Sequence, residues 1–317
     1  MQNAPYHETA PAKINLTLQV HGRRADGYHH LESLVAFTDL ADILTLTPDA
    51  QNEPPHPQKA EMSLSVDGPQ AAMLADMDAA QNLVLHAAHR LAEAAKCHAI
   101  GNLRLTKNLP VMAGLGGGSS DAAAALRLFN RVWGLDRDMQ ELMPLAVATG
   151  SDVAACLLNR PCLMTGRGEH VTPLDKVLPE AFLVLVNPMV RLATAQVFAA
   201  LDAPDIAPDI ENNFQNNFQN DLMSATLPDI QDFPALVAYI TARGNDLTPA
   251  ACSLAPVIGD VLAEIAKTGA AVSAMSGSGS TCFGLFDKRS SAEQAAAELT
   301  ARQDFTGMWI KVAALKS

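Results

Sequence analysis

The chain has 317 residues, a length that suggests two domains, each able to bury its own core. Apolar residues make up 49% and charged ones 18%, an ordinary soluble balance, and a formal net charge of −12 argues against nucleic acid as a partner. Five widely spaced cysteines without a C-x-x-C, no apolar run approaching the ~18 residues of a membrane span, and no signal pattern at the start predict a cytoplasmic protein with free thiols and no membrane partner.

In chain order, residues 8–20 and 31–47 read as strands, with a turn-rich segment at 22–27 between them. The polar, proline-rich stretch 49–60 reads as a loop and 62–66 as a short alternating strand. Residues 80–95 carry helical spacing through Leu83, Leu85, Ala87, Ala88, Leu91 and Ala95. A strand at 103–107 precedes a glycine-rich run, then helices at 120–133 and 138–148, the latter ending at Gly150 as a C-cap. The second half restarts with the buried-strand run 182–186. Helical segments follow near 193–201, 219–226, 233–243 and 256–267. The end reads strand 271–275, glycine turn, strand 281–286, helix 291–302, strand 308–314, which predicts an α+β sandwich with helices on one face. The four-residue tandem repeat at 212–219 is too short for a repeat architecture and reads as a loop running into a helix.

The run Gly114-Leu115-Gly116-Gly117-Gly118-Ser119-Ser120-Asp121, opening onto Ala122-Ala123-Ala124-Ala125-Leu126, is the most informative segment. A glycine loop followed at once by a helix start aims free N–H groups and the positive end of the helix dipole at one spot, where phosphate is the usual occupant. Direct hydrogen bonds to a charged group contribute about 1.5–3 kcal/mol each, against about 0.3–1 for the dipole, so the loop matters more. A P-loop requires a Lys after its glycines, and none follows; a dinucleotide fingerprint counted from Gly114 ends on Ser119 rather than glycine. Lys107, just upstream, is a candidate phosphate or nucleotide contact. With so acidic a chain, polyanions must be held by such local features, with Lys13 and Arg167 the other candidates.

Other residue patterns leave two readings open. In Pro11-Ala12-Lys13-Ile14-Asn15-Leu16-Thr17-Leu18, Lys13, Asn15 and Thr17 share one strand face, suited to a solvated surface or to one ligand. Tyr28 offers a flat aromatic face and His29 a donor/acceptor ring beside it, and His30 is expected at the surface. Asp152 after Gly150 suits a helix N-cap, Phe198 suits a core, and 275–281 suits a hairpin turn longer than two residues.

Pro110-x-x-x-Gly114-Leu115-Gly116-Gly117-Gly118-Ser119-Ser120-x-Ala122-Ala123 resembles the central ATP-binding motif of the GHMP kinases. Its longer form resembles the branch whose acceptor is 4-diphosphocytidyl-2-C-methyl-D-erythritol. The resemblance spans the chain. It implies an α+β, two-domain fold, with a ribosomal-protein-S5-like N-terminal domain over 1–170 and a ferredoxin-like C-terminal sandwich over 171–317. ATP is then the phosphoryl donor with Mg2+, held by Lys107, Pro110, Gly114, Leu115, Gly116, Gly117, Gly118, Ser119 and Ser120. One of the two serines would lie near the ion, and no protein metal centre is assigned.

On the acceptor side, P-A-K-I-N-L resembles the branch's first motif, which implies that Lys13 and Asn15 line the phosphoryl-acceptor site. Arg24-Ala25-Asp26-Gly27-Tyr28-His29 resembles its R-x-D-G-Y-H pattern, assigning Tyr28 and His29 to cytosine, with Phe198 completing the base sandwich. Gly150-Ser151-Asp152-Val153 resembles the segment bearing the catalytic Asp, although Ala154-Ala155-Cys156 replaces the usual Pro-x-aromatic tail. Arg167, in a G-x-G-E turn, borders the cytidine or its diphosphate, and Gly277, Ser278 and Gly279 belong to a third motif on the phosphate side. The implied activity is transfer of the ATP γ-phosphoryl group to the 2-hydroxyl of that acceptor, a step of non-mevalonate isoprenoid precursor biosynthesis. Asp152 orients or deprotonates the hydroxyl, and Lys13 keeps Asp152 ionised and offsets charge on the moving group. A mevalonate- or homoserine-type kinase and a catalytically silent nucleotide-binding regulator are the alternatives. Tyr28 and His29 speak against the first, and the presence of Lys13 and Asp152 against the second. The partner is a small molecule, with monomer or weak homodimer left open.

Overall fold

The computed structural model describes residues 4–47, 62–75, 82–97, 101–201, 203 and 229–316. The expected loop at 49–60, the repeat at 212–219 and the helix near 219–226 lie outside the described residues. The chain forms two compact units: Met1–Ala12 with Leu40–Val111 and Gly116–Asn159, and Lys13–Asp39 with Met112–Leu115 and Arg160–Ser317. A single cut at 170 does not describe this division. Strand β1 (Tyr6–Asn15) and the 19-residue strand β3 (His29–Thr47) each pass from one unit to the other, as does the glycine run after Leu115.

In the first unit, β4 (Ser63–Asp67) pairs parallel to β5 (Asn102–Thr106), which pairs antiparallel with Ile43–Thr47 of β3. Helix α1 (Leu83–Ala95) starts where the Asn82 side chain accepts the Val84 N–H at 3.0 Å. It buries Val84, Ala87, Ala88, Leu91 and Ala92 on one stripe. Helix α2 (Gly117–Val132) buries Ala122 to Leu126, Leu128 and Phe129. It begins three residues earlier than expected, because Gly116 takes the N-cap position with φ +61 and Gly117 to Ser120 form the first turn. Helix α3 (Met139–Thr149) opens with a capping box between Asp138 and Glu141. Gly150 closes it with extended backbone, φ 174, so no left-handed cap is involved. A six-residue helix α4 (Val153–Leu158) follows, which the sequence reading does not anticipate.

In the second unit, the expected strand 8–20 divides. β1 ends at Asn15, β2 (Gln19–Arg23) pairs with the start of β3, and Thr17 uses its hydroxyl to accept the Leu34 N–H at 3.0 Å. Two further unanticipated strands, β6 (Cys162–Gly166) and β7 (His170–Pro173), form a hairpin, and β6 pairs with Leu31–Val35 of β3. The rest is built on β8 (Phe182–Asn187), β9 (Val272–Met275), β10 (Cys282–Phe286) and β11 (Trp309–Ala314), all antiparallel in the order β11-β8-β10-β9. That is the ferredoxin-like order expected. Helices α5 (Thr194–Ala200), α6 (Phe233–Arg243), α7 (Thr248–Leu254), α8 (Val257–Lys267) and α9 (Arg289–Thr300) accompany it. Alternation in β8 sends Val184 and Val186 into one cluster with Ile258, Val261 and Ile265 of α8 and Ala292, Ala295 and Leu299 of α9. Each large aliphatic side chain buried there contributes about 1.5–3 kcal/mol.

Candidate active site

The phosphate side is built in the first unit from the start of α2. Gly117, Gly118 and Ser119 present first-turn N–H groups of the kind a helix leaves unpaired internally, whereas the Ser120 N–H already donates to the Gly116 carbonyl at 2.8 Å. The Ser120 hydroxyl is buried and donates to the Pro11 carbonyl at 2.6 Å, whereas Ser119 is half-buried. Pro110 is buried at the corner before the run.

Lys107 lies behind this helix start rather than projecting from it. Its ammonium is 3% exposed and donates to Asp42 Oδ2 at 2.5 Å and Asp121 Oδ2 at 2.8 Å. Asp42 Oδ1 in turn accepts the N–H groups of Asn108 (2.6 Å) and Leu109 (2.9 Å), fixing the corner. Lys107, read from the sequence as a phosphate or nucleotide contact, is the hub of a buried ion network in which two carboxylates meet its charge. Burial works against the ammonium, yet Asp121 and Asp42 hold it above the usual lysine range. Burial pushes Asp121 up to about 7, with Asp42 adding to the rise and Lys107 opposing it. Asp121 Oδ1 is buried without a hydrogen-bond partner. Asp42 and Asp121 escaped the sequence reading, because nothing in a strand aspartate 65 residues before Lys107 announces the contact.

Asp152 sits at the N-cap position of α4, half-buried. Its side chain makes no capping hydrogen bond to that helix, so the N-cap explanation for this residue does not hold.

In the second unit the polar side chains at the end of β1 and just beyond it are buried rather than solvated: Lys13, Asn15 and Thr17 are each under 5% exposed. Lys13 Nζ donates to Asn15 Oδ1 at 2.6 Å, Asn15 Nδ2 donates to Ser33 Oγ at 2.7 Å, and Ser33 Oγ donates to the Thr17 carbonyl at 2.5 Å. Burial pushes the nearby Cys162 thiol up to about 12, against the pull of Lys13 and Arg160, which leaves it an inert neutral group.

The first part of the glycine run meets the 275–281 turn in this same unit. Ser276 Oγ donates to the Gly114 carbonyl at 2.8 Å and accepts the Asn15 N–H at 3.1 Å, while the Leu115 carbonyl accepts the Lys13 N–H at 2.9 Å. Gly277 and Gly279 are buried with positive φ, and Ser278 shares a hydrogen bond with Thr194 at 2.9 Å. Asn245 Nδ2 donates to the carbonyls of Met275 (2.7 Å) and Gly277 (2.8 Å), a support with no sequence signal.

The base-binding candidates also gather in the second unit. His29 stacks on Phe198 with centroids 5.0 Å apart and planes at 26°, and the Arg167 guanidinium lies 5.1 Å from the centroid of the exposed Tyr28 ring. Arg167 is held from below by Glu169, which accepts its backbone N–H at 2.5 Å. Burial, with help from Arg23, lowers the His29 pKa, so the ring is neutral near pH 7 and offers one donor and one acceptor. Phe198 is half-buried and packs against the core of this unit. His30 is corrected: it is 2% exposed, turned inward by strand alternation, with Arg24 Nη1 3.4 Å from its Nε2. Among the described residues, no helix is long and apolar enough to cross a membrane.

One chain thus carries a glycine-headed helix and a four-strand sheet in ferredoxin-like order, and two kinase family models match it. GHMP kinases N terminal domain covers residues 82–160 and GHMP kinases C terminal covers 223–304. The 4-diphosphocytidyl-2-C-methyl-D-erythritol kinase of Nitrobacter winogradskyi is 46% identical over 97% of this chain and 93% of its own length. That of Paramagnetospirillum magneticum is 43% identical over 97% and 98%. A crystal structure of 4-(cytidine 5'-diphospho)-2C-methyl-D-erythritol kinase superposes with a TM-score of 0.69 at 31% identity, covering 98% of this chain and all of its own. The chain belongs to the GHMP kinases and, among them, to the 4-diphosphocytidyl-2-C-methyl-D-erythritol kinase family.

Proposed function

We propose that the chain moves the γ-phosphoryl group of ATP to the 2-hydroxyl of 4-diphosphocytidyl-2-C-methyl-D-erythritol, a reaction of the non-mevalonate route to isoprenoid precursors. The observation that carries the acceptor is the aromatic group Tyr28, His29 and Phe198 with Arg167 beside it. Mevalonate and homoserine have no base to stack, whereas cytosine has a face for the rings and an edge for neutral His29.

In this reading the acceptor hydroxyl attacks the γ-phosphorus, the bond to the β-phosphate oxygen breaks, and the hydroxyl proton passes to the Asp152 carboxylate. The first turn of α2 binds the β- and γ-phosphates, and the 275–281 turn with Gly114 lies on the phosphate side. Lys13, oriented by Asn15, offsets charge on the transferring group. No cluster of three His, Cys, Asp or Glu side chains suited to a metal exists among the described residues. Mg2+ would be carried mainly by ATP oxygens, and of Ser119 and Ser120 the former would stand beside it, since the Ser120 hydroxyl already donates to the Pro11 carbonyl. When bound, Mg2+ would neutralise phosphate charge. Five free cysteines suit a reducing cytoplasm.

The test is ATP consumption by the purified chain with the cytidylated alcohol, mevalonate and homoserine in parallel. Turnover with the first alone is expected. Turnover only with mevalonate or homoserine refutes the acceptor, and silence on all three favours a regulator.

A further inference from the structure

Arg127 lies on α2 ten residues beyond Gly117, about 15 Å along the axis and well away from any phosphate held at the helix start. Its guanidinium nonetheless makes three hydrogen bonds, each 2.9 Å, to three different groups. Nε donates to Glu8 Oε1, Nη2 to the Thr9 carbonyl and Nη1 to the Cys156 carbonyl. Glu8 and Thr9 belong to β1, and Cys156 to α4. The side chain is 18% exposed and Glu8 is 15% exposed, so the contacts to Glu8 and Cys156 are part-buried, while that to Thr9 is open to solvent.

The Cys156 carbonyl belongs to the last turn of α4, where a helix leaves carbonyls without internal partners and where a cation suits the dipole. The Cys156 N–H donates to the Asp152 carbonyl at 3.1 Å. A helix of six residues has little rigidity of its own, and no side chain caps its start. The grip of Arg127 is therefore one hydrogen bond removed from the residue bearing the proposed base.

We propose that Arg127 is a positioning residue for Asp152: its three-way fork fixes α4 against α2 and β1, and so sets where the Asp152 carboxylate stands. This rests on the role given to Asp152 above. Lysine cannot replace it, since a single ammonium lacks the planar set of donors that spans three acceptors in fixed directions.

Arg127→Lys keeps the charge but loses the fork. It is expected to lower kcat about 10- to 100-fold, as a misplacement near 1 Å does, with KM for ATP within about twofold of the parent. In an Asp152→Asn background the same change should cost less than about twofold, because the group it positions is already gone. Glu8→Gln, which breaks the ion pair but leaves the α4 contact, should keep kcat. Amide exchange supplies a readout that needs no acceptor: in Arg127→Lys the amides of 153–158 lose protection while those of 120–126 keep theirs. Arg127→Gln serves for the same exchange measurement if the lysine variant folds poorly. Full turnover in Arg127→Lys, an equal loss in the Asp152→Asn background, or a Glu8→Gln defect as large as that of Arg127→Lys overturns the proposal. So does unchanged protection of 153–158, whatever the acceptor proves to be. Absence of turnover by the parent chain on the cytidylated alcohol counts against the proposed reaction alone.

Discussion

Replacing Gly114 by alanine tests how closely the glycine run and the 275–281 turn depend on each other. Gly114 has φ +74, a conformation that costs an L-residue about 1–2 kcal/mol. An added Cβ would also collide with the Ser276 carbonyl oxygen and stand 2.9 Å from the Gly279 carbonyl and 3.2 Å from its nitrogen. These are backbone atoms. They cannot swing aside, because Asn245 holds the carbonyls of Met275 and Gly277 and the Ser276 N–H donates to the Thr281 carbonyl at 2.9 Å. Overpacking of this kind adds about 1–3 kcal/mol, for a total near 2–5 kcal/mol. That is a large share of the 5–15 kcal/mol typical of a folded protein. Gly134→Ala is the matched control: φ is +60 there, but nothing lies within 4 Å of the new Cβ, so only the backbone strain of about 1–2 kcal/mol remains. Urea unfolding followed by near-ultraviolet circular dichroism measures both. If the two variants lose the same stability to within about 0.5 kcal/mol, the proposed crowding at Gly114 is wrong.

Three further outcomes are expected. Asp152→Asn should lower kcat about 10²–10⁴-fold with ATP affinity nearly unchanged, read by steady-state kinetics and equilibrium ATP binding; near-full turnover excludes the base role. Phe198→Leu keeps apolar packing but removes the ring facing His29. It should raise KM for the acceptor about tenfold and leave KM for ATP alone, since stacking on a base is worth about 1–3 kcal/mol. For Asp121, which burial pushes up to about 7 from the ordinary carboxylate value near 3.8, the folded chain holds a proton that the unfolded chain has released between those values. Stability from this group therefore falls as pH rises from 4 to 7, by about 1.4 kcal/mol per unit over the steep part. Asp121→Asn should flatten the stability profile between pH 5 and 7 by about 2 kcal/mol in denaturation without Mg2+ or ATP, and parallel profiles for the two proteins would count against the shift.

What could be read from the residues, and what could not, divides by the range of the interactions involved. The strands and helices from 271 onward were legible because long apolar runs of one period alternate with glycine turns, and nothing there depends on distant residues for its type. The start of α2 was misplaced because glycine has low helix propensity, and the N–H groups of Gly117 and Gly118 are the ones a first turn leaves unpaired in any case. The ion pair of Lys107 with Asp42 has no sequence signal, because Asp42 lies 65 residues away and only the fold brings them together. The same holds for Ser276, which joins Asn15 to the Gly114 carbonyl across separations of 261 and 162 residues.

The segment after Asp152 was read as a departure from the family pattern, and the structure accounts for it. Residues 153–158 are helical, which puts Ala154 at the second helical position. A proline there would remove only an N–H that the first turn does not use internally, so alanine in its place neither adds nor removes a helix hydrogen bond. At 156 the demand is burial, and Cys156 is fully buried; a larger aromatic would fill more volume but would leave the backbone bond from its N–H to the Asp152 carbonyl unchanged. The start of α4 is therefore set by backbone hydrogen bonds that Ala154-Ala155-Cys156 retains.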